Sequence, residues 1–268
     1  MFLSNPDLLS WQVVIRFMIH MITSSSTRMG GLVAKQGNKK EKNFKVIDTG
    51  KTLVEEWEEF VKEREFTVTE VDWESEIENV EENVVRIVCM SDTHTQTDKL
   101  EHVVPAGDIF IHTGDFTNYG RKEEVEKFNA WLGTLPHKYK IVIAGNHEIT
   151  FDQKSFDNFW AKKKIFGENF DQESPEVTTF PNYDKLLTNC VYLEDSSIEL
   201  FGLKIYGSPW VPGLSHEWGF TLKTEAERLE KWRQIPADTD ILLTHTPPLG
   251  IGDHTSKEKM IGCPQLLR

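Results

Sequence analysis

The sequence predicts an α/β fold from Val84 onward, and three observations carry that expectation. Short apolar runs alternate with amphipathic helical stretches, the pattern of parallel strands joined by helices. Four of the runs are apolar along their whole length, as strands covered on both faces must be. A chain of 268 residues, 38% hydrophobic and 27% charged, suits one large domain or two small ones, with aromatic side chains enough for a core.

Taken in order, the strands are expected at Val84–Met90, Asp108–His112, Lys140–Ala144, Val191–Leu193, Ile198–Tyr206 and Asp240–Thr244. The first three and the last are the fully apolar ones. Ile198–Tyr206 is long enough to fold into a hairpin turning at Gly202. Arg121–Leu132 reads as a helix that packs Val125, Phe128, Trp131 and Leu132 and stops at Gly133 and Pro136. Thr224–Ile235 reads as another, with Ala226, Leu229 and Trp232 on one face.

Residues 1–83 are expected to be an extension, partly disordered. Between 41 and 83 there are fifteen acidic side chains against five basic ones, ten of the thirteen net negative charges. Leu53, Val54, Trp57, Phe60 and Val61 recur at helical spacing, which predicts an amphipathic helix near 51–64 with its glutamates in solvent. A short strand is expected at 66–71 and a polar linker at 74–83. The apolar run 8–22 holds Arg16 and His20 and falls short of the roughly 20 residues that span a bilayer. Residues 1–40 share the basic bias of an organellar presequence, but an unstructured leader or surface helix is the simpler expectation.

Composition narrows the function classes. A formal charge of −13 argues against coating nucleic-acid phosphates through net charge alone. Three cysteines (Cys89, Cys190, Cys263) without CxxC spacing exclude a disulfide framework and a cysteine zinc ribbon, and they fit a reducing, cytoplasmic setting. The oligomeric state is not legible.

The chemistry is expected where the buried strands end, since open α/β sheets gather functional groups at carboxyl ends. Those ends read Ser91-Asp92-Thr93-His94, His112-Thr113-Gly114-Asp115, Gly145-Asn146-His147-Glu148 and Thr244-His245-Thr246. Each alone also reads as an ordinary turn or helix cap. Together they offer carboxylate, imidazole, carboxylate, carboxamide and imidazole from four strand ends. Oxygen and imidazole ligands without thiolate suit manganese, iron or catalytic zinc. Two adjacent ions need a bridging carboxylate, for which Asp115 is the natural candidate. Such a pair would activate a bridging water for hydrolysis of a phosphoester. His112 is expected in the core or behind the ligands, Cys89 as a buried hydrophobe, and His20, His102 and His137 on the surface. His216, Trp210 and Trp218 are expected near a substrate cleft, where the tryptophans could stack a base.

Asp92-x-His94, Gly114-Asp115, Gly145-Asn146-His147-Glu148 and Thr244-His245 resemble the successive motifs of the calcineurin-like metallophosphoesterases. Within that superfamily, "SDTHTQTD", "GDIFIHTGDFTNYG", "YKIVIAGNHEITFD" and "DILLTHTPPLG" resemble the metallophosphoesterase domain-containing proteins of animals. The likeness covers 84–268 and implies a four-layer α-β-β-α sandwich with two mixed sheets. It implies that Asp92, His94 and Asp115 hold one divalent ion, and that Asp115, Asn146 and His245 hold a second. It further implies that His147 reaches the phosphoryl group, and that Glu148 orients His147 or its loop, unless it is simply an exposed carboxylate.

Two departures shape the expected function. Phosphatases of the superfamily follow the bridging Asp with an Asp-Arg pair, whereas Phe116-Thr117-Asn118-Tyr119-Gly120 stands here. The missing arginine points to phosphodiesters over monoesters, and a small or nucleotide-type diester is the expected substrate. Thr246 stands where the branch carries glycine. A Gly-His-x-His motif is expected after the last ligand strand, yet only 23 residues follow His245 and their one histidine, His254, lacks that pattern. The sequence therefore reads as C-terminally incomplete. The alternative function is an impaired chain that acts as a binding or interaction protein.

Overall fold

The computed structural model describes residues 12–19, 55, 84–100, 103–213, 218–253 and 261–267. In chain order its strands are β1 (Gln12–Ile19), β2 (Val84–Ser91), β3 (Ile109–Thr113), β4 (Tyr139–Ile143), β5 (Val191–Tyr192), β6 (Ser196–Leu200), β7 (Leu203–Ser208), β8 (Val211–Pro212), β9 (Thr221–Leu222) and β10 (Ile241–Thr244). Its helices are α1 (Lys122–Thr134), α2 (Gln153–Phe156), α3 (Phe159–Phe166), α4 (Pro175–Thr178) and α5 (Glu225–Trp232).

β1 to β5 lie in sequence order in one sheet, every neighbouring pair parallel. A smaller sheet runs β10-β7-β6, with β10 parallel and β6 antiparallel to β7. The smaller sheet is thus mixed, and the larger is parallel throughout its described strands. The period of two along each strand explains how they stack. Val85, Ile87, Cys89, Ile109, Ile111, Ile141 and Ile143 meet Leu203, Ile205, Ile241 and Leu243 of the smaller sheet. The alternate residues Val88, Met90, Phe110 and Val142 meet Val125, Phe128 and Leu132 of α1. Helix, sheet and sheet are therefore stacked, and α5 packs Trp232 against Leu222 and Cys263 as a fourth unit. Each such apolar side chain taken fully from water contributes about 1.5–3 kcal/mol.

Local signals set the ends of these elements. The Glu124 carboxylate accepts the backbone N–H groups of Tyr119 and Arg121, both at 3.0 Å, which closes the start of α1. α1 runs through Gly133 to Thr134, two residues past the expected stop. In α5 a capping box forms: Glu227 N–H donates to Thr224 Oγ1 at 3.1 Å, and Thr224 N–H to Glu227 Oε2 at 2.9 Å. Trp232 is buried as expected, but Ala226 is exposed. The β6–β7 hairpin turns on Phe201 and Gly202, whose φ values of 56° and 73° are those a two-residue primed turn requires.

Several expectations are revised. Gln12–Ile19, read as leader or surface helix, is a strand beside β2. His137, expected on the surface, is buried with its ring 5.5 Å from Phe110. Of the helix at 51–64, only Glu55 lies within the described residues, helical and exposed. The strand at 66–71, the linker at 74–83, and His20, His102, His216 and His254 lie outside them. Among the described residues no helix is long and apolar enough to cross a membrane.

Candidate metal centre

Asp92, Asp115, Asn146 and His245 each follow a strand end, of β2, β3, β4 and β10 in turn. The first three strands belong to the large sheet and β10 to the small one, so the groups converge at the edge between the sheets. The loops after β2 and β3 run side by side, with Asp92 N–H, His94 N–H and Thr95 N–H donating to the carbonyls of Gly114, Asp115 and Phe116 at 2.9–3.0 Å. Along them Asp92, His94, Thr95 and Asp115 take left-handed φ values of 55°, 39°, 63° and 57°. Each such residue costs about 1–2 kcal/mol, which the surrounding backbone ladder must offset.

Asp115 lies at the centre and is 4% exposed. Its Oδ1 is 3.4 Å from His245 Nε2, and its Oδ2 is 3.9 Å from both His94 Nε2 and His147 Nε2. The three imidazoles are held alike. Nδ1 of His94 lies 3.2 Å from the Thr117 carbonyl, Nδ1 of His147 lies 2.7 Å from that of Asn118, and Nδ1 of His245 lies 2.8 Å from that of Thr113. A carbonyl only accepts, so each Nδ1 carries a proton and each ring turns its Nε2 toward Asp115. One loop, 113–118, thereby fixes the orientation of three histidines that come from other strand ends.

The donor set fits a pair of cations. His94, Asp115 and His147 form one group of ligand atoms and Asp92, Asp115 and His245 another, each within 4.8 Å, and Asp115 belongs to both. Asn146 Oδ1 lies 3.2 Å from His245 Nε2, on the second group's side. Two ligands bound about 2.1 Å from one ion lie about 3–4 Å apart, the range seen here. Space around them is reserved: a Cβ on Gly145 would collide with the Asp115 carboxylate and lie 2.7 Å from His245 Cε1. Thr246 is buried with its hydroxyl 3.5 Å from the Pro247 carbonyl.

Charge at the site is concentrated. Burial pushes the Asp115 carboxyl up, but His245 and His147 outweigh it and hold it well below the usual carboxylate range. Burial pushes His245 down, but the charges of Asp115 and Asp92 outweigh it and raise it to about 10. This buried carboxylate therefore holds a positive charge at His245, the charge a cation would supply on displacing that proton. Burial lowers His147 as well, favouring its neutral form.

The grouping of these side chains differs from the sequence reading in two respects. His147, expected at the phosphoryl group, sits with His94 and Asp115, its ring centroid 4.5 Å from that of His94. Asp92, expected beside His94, falls in the group with His245.

Glu148 is the residue the sequence undervalued. It is 0% exposed. Its Oε2 accepts the N–H groups of Asp115 at 2.8 Å and Gly145 at 2.6 Å, and its Oε1 accepts Thr117 N–H at 2.9 Å and Thr117 Oγ1–H at 2.8 Å. It therefore ties its own loop to the Asp115 loop. Burial first, and then the Asp115 charge, push its carboxyl up to about 7 against the pull of those hydrogen bonds. His112 supports the neighbouring loop: it is fully buried, Nε2 lies 3.1 Å from Thr93 Oγ1, and burial lowers its pKa to about 3. Its Nδ1 has no partner among the described residues. Cys89 is buried as expected, its thiol pushed by burial to about 12. Trp218 touches His147, with ring centroids 4.2 Å apart. Trp210 lies elsewhere, its Nε1–H donating to Asp195 at 2.9 Å beneath the Lys231 ammonium.

Residues 85–265 match the family described as calcineurin-like phosphoesterase. The chain belongs to that family. It is 48% identical over 183 residues to the human metallophosphoesterase domain-containing protein 1, covering 68% of this chain and 55% of that protein. It is 46% identical over 192 residues to the UPF0046 protein C25E10.12 of Caenorhabditis elegans, covering 69% of this chain and 63% of the relative. The chain thus spans somewhat more than half the length of these relatives. Parallel and mixed sheets, flanking helices and ligands at strand ends agree with membership in this calcineurin-like family.

Proposed function

We propose that this calcineurin-like chain hydrolyses phosphodiesters, small or nucleotide-type, at a pair of divalent metal ions. The observation that carries the reading is the shared carboxylate of Asp115 within reach of three imidazoles whose Nδ1 atoms are all committed to backbone carbonyls. Asp92, Asp115, Asn146 and His245 would hold one ion, and His94 with Asp115 the other. Bound divalent ions supply Lewis acidity and a nucleophilic water at neutral pH. Asp115, buried between the two groups of ligand atoms, would balance their charge. His147, its Nδ1 anchored on Asn118, keeps Nε2 beside the Asp115 carboxylate, where in its protonated form it would stabilise charge on the phosphoryl group or protonate the leaving oxygen.

The diester preference is supported by where the nearby arginine is spent. Arg121 donates through Nε to the Ile165 carbonyl at 2.9 Å and through a terminal nitrogen to that of Lys164 at 2.6 Å. That guanidinium is committed to the backbone of α3 and offers no bidentate grip on a dianionic monoester. The manganese-loaded chain is expected to hydrolyse bis-4-nitrophenyl phosphate with a kcat/KM at least tenfold above that for 4-nitrophenyl phosphate. A preference for the monoester would defeat the assignment.

A further inference from the structure

The 47 residues between β4 and β5 contain no strand. They build a small core of their own from Ile149, Phe156, Ala161 and Ile165, and Tyr119 and Trp218 rest on it, half-buried. Both rings lean toward the metal centre. The Trp218 ring lies 4.2 Å from that of His147, and the Tyr119 ring is nearly parallel to both, 22° from each, at 6.5 Å from His147 and 6.3 Å from Trp218. An aromatic face therefore continues outward from the imidazole whose Nε2 looks toward Asp115.

That face is rigid, because the backbone behind it is tied to the site. Gly219 N–H donates to the Asn146 carbonyl at 2.8 Å, and Ser155 Oγ–H donates to the Trp218 carbonyl at 2.9 Å. Positive charge is set on it as well. The Lys164 ammonium stands 4.1 Å from the Trp218 ring and 5.7 Å from Tyr119, and the Arg121 guanidinium stands 4.9 Å from Tyr119. Arg121 in turn holds the carbonyls of Lys164 and Ile165, which fixes where Lys164 leaves α3. In a chain of net charge −13, the Lys164 ammonium over this aromatic pair, its backbone braced by Arg121, forms a locally favourable rim for an anionic ester.

We infer that Trp218 and Tyr119, with Lys164 above them, form a subsite for a planar aromatic substituent of the phosphoester, stacked one ring away from the reacting phosphorus. The inference rests on the phosphoesterase reading and names the group that such an ester would carry. A tethered aromatic ring gains contact area on this face without ordering any loop, since the rings are already fixed. An alkyl substituent of the same ester has no flat face to match. Aryl esters and nucleotides share this chemistry, so the test must separate them.

The test is calorimetric binding to the manganese-loaded chain, with methyl phosphate, phenyl phosphate and adenosine monophosphate as probes. Phenyl phosphate is expected to bind about tenfold more tightly than methyl phosphate, within the range for one stacked ring. Trp218→Ala should bring that ratio close to one while leaving the Kd of methyl phosphate within twofold, and Trp218→Phe should keep most of it. Tyr119→Leu, distant from the Asn146 tie, should lower the ratio partway and covers the case in which Trp218→Ala does not fold. Adenosine monophosphate binding as tightly as phenyl phosphate would identify nucleotides as occupants; binding as weakly as methyl phosphate would restrict the subsite to simple aryl groups. Equal binding of methyl and phenyl phosphate by the unaltered chain would overturn the subsite alone. No binding of any probe would overturn the subsite, while the phosphoesterase reading stands or falls separately on hydrolysis of bis-4-nitrophenyl phosphate.

Discussion

Asp115→Asn is expected to lower kcat/KM on a phosphodiester by about 10³-fold or more, the largest single loss in the site. The substitution keeps size and shape, so the effect is one of charge. Oδ1 of Asp115 accepts His147 N–H at 2.9 Å. An asparagine must keep its oxygen there, which places its amide nitrogen where Oδ2 now faces His94 and His147 at 3.9 Å. A donor then points at the Nε2 atoms of both rings, His94 as a ligand and His147 as the group that reaches the phosphoryl. The ion on the His94 side loses its carboxylate outright, and the one on the His245 side keeps a neutral oxygen in place of a charged one. A 10³-fold loss corresponds to about 4 kcal/mol of transition-state stabilisation. Steady-state kinetics with saturating manganese, on protein whose circular dichroism is unchanged, measures it. Activity within tenfold of the unaltered chain would contradict the role of Asp115.

Glu148→Gln is expected to cost about 2–4 kcal/mol of stability and to lower turnover in the molecules that still fold. Both carboxylate oxygens are used twice, by three backbone N–H groups and one hydroxyl, in full burial. Glutamine supplies one accepting oxygen, and its amide nitrogen must oppose two donors, each of which costs about 1–3 kcal/mol when left unsatisfied. At about 2–4 °C per kcal/mol for a chain of this size, the midpoint of thermal unfolding should fall by roughly 5–15 °C. A shift under 2 °C would show that the two loops do not depend on this clamp.

The contrast between these two residues explains what the sequence could show. Asp115 was legible because it stands directly after an apolar run, at a strand end, with other ligand types at the ends of three further strands. The same logic located β2 to β7, β10, α1 and α5 to within a few residues, since apolar period and capping groups are local signals. Glu148 was not legible as a clamp: a carboxylate in a loop usually faces water, and three of the four donors it meets come from Asp115 and Thr117, more than thirty positions away. Trp218 is the same case. Its contact with His147 spans seventy-one positions and depends on the small core between β4 and β5. His137, between Pro136 and Lys138, had every local sign of an exposed loop, and only the packing of Phe110 beneath it makes it buried.

One count tests the central claim, that a single buried carboxylate serves two ions. Calorimetric titration of the metal-free chain with manganese, cross-checked by elemental analysis, should give two ions per chain, and Asp115→Asn should retain no more than one, the ion beside His245. Fewer than two ions in the unaltered chain, or two tightly held ions in Asp115→Asn, would contradict the account.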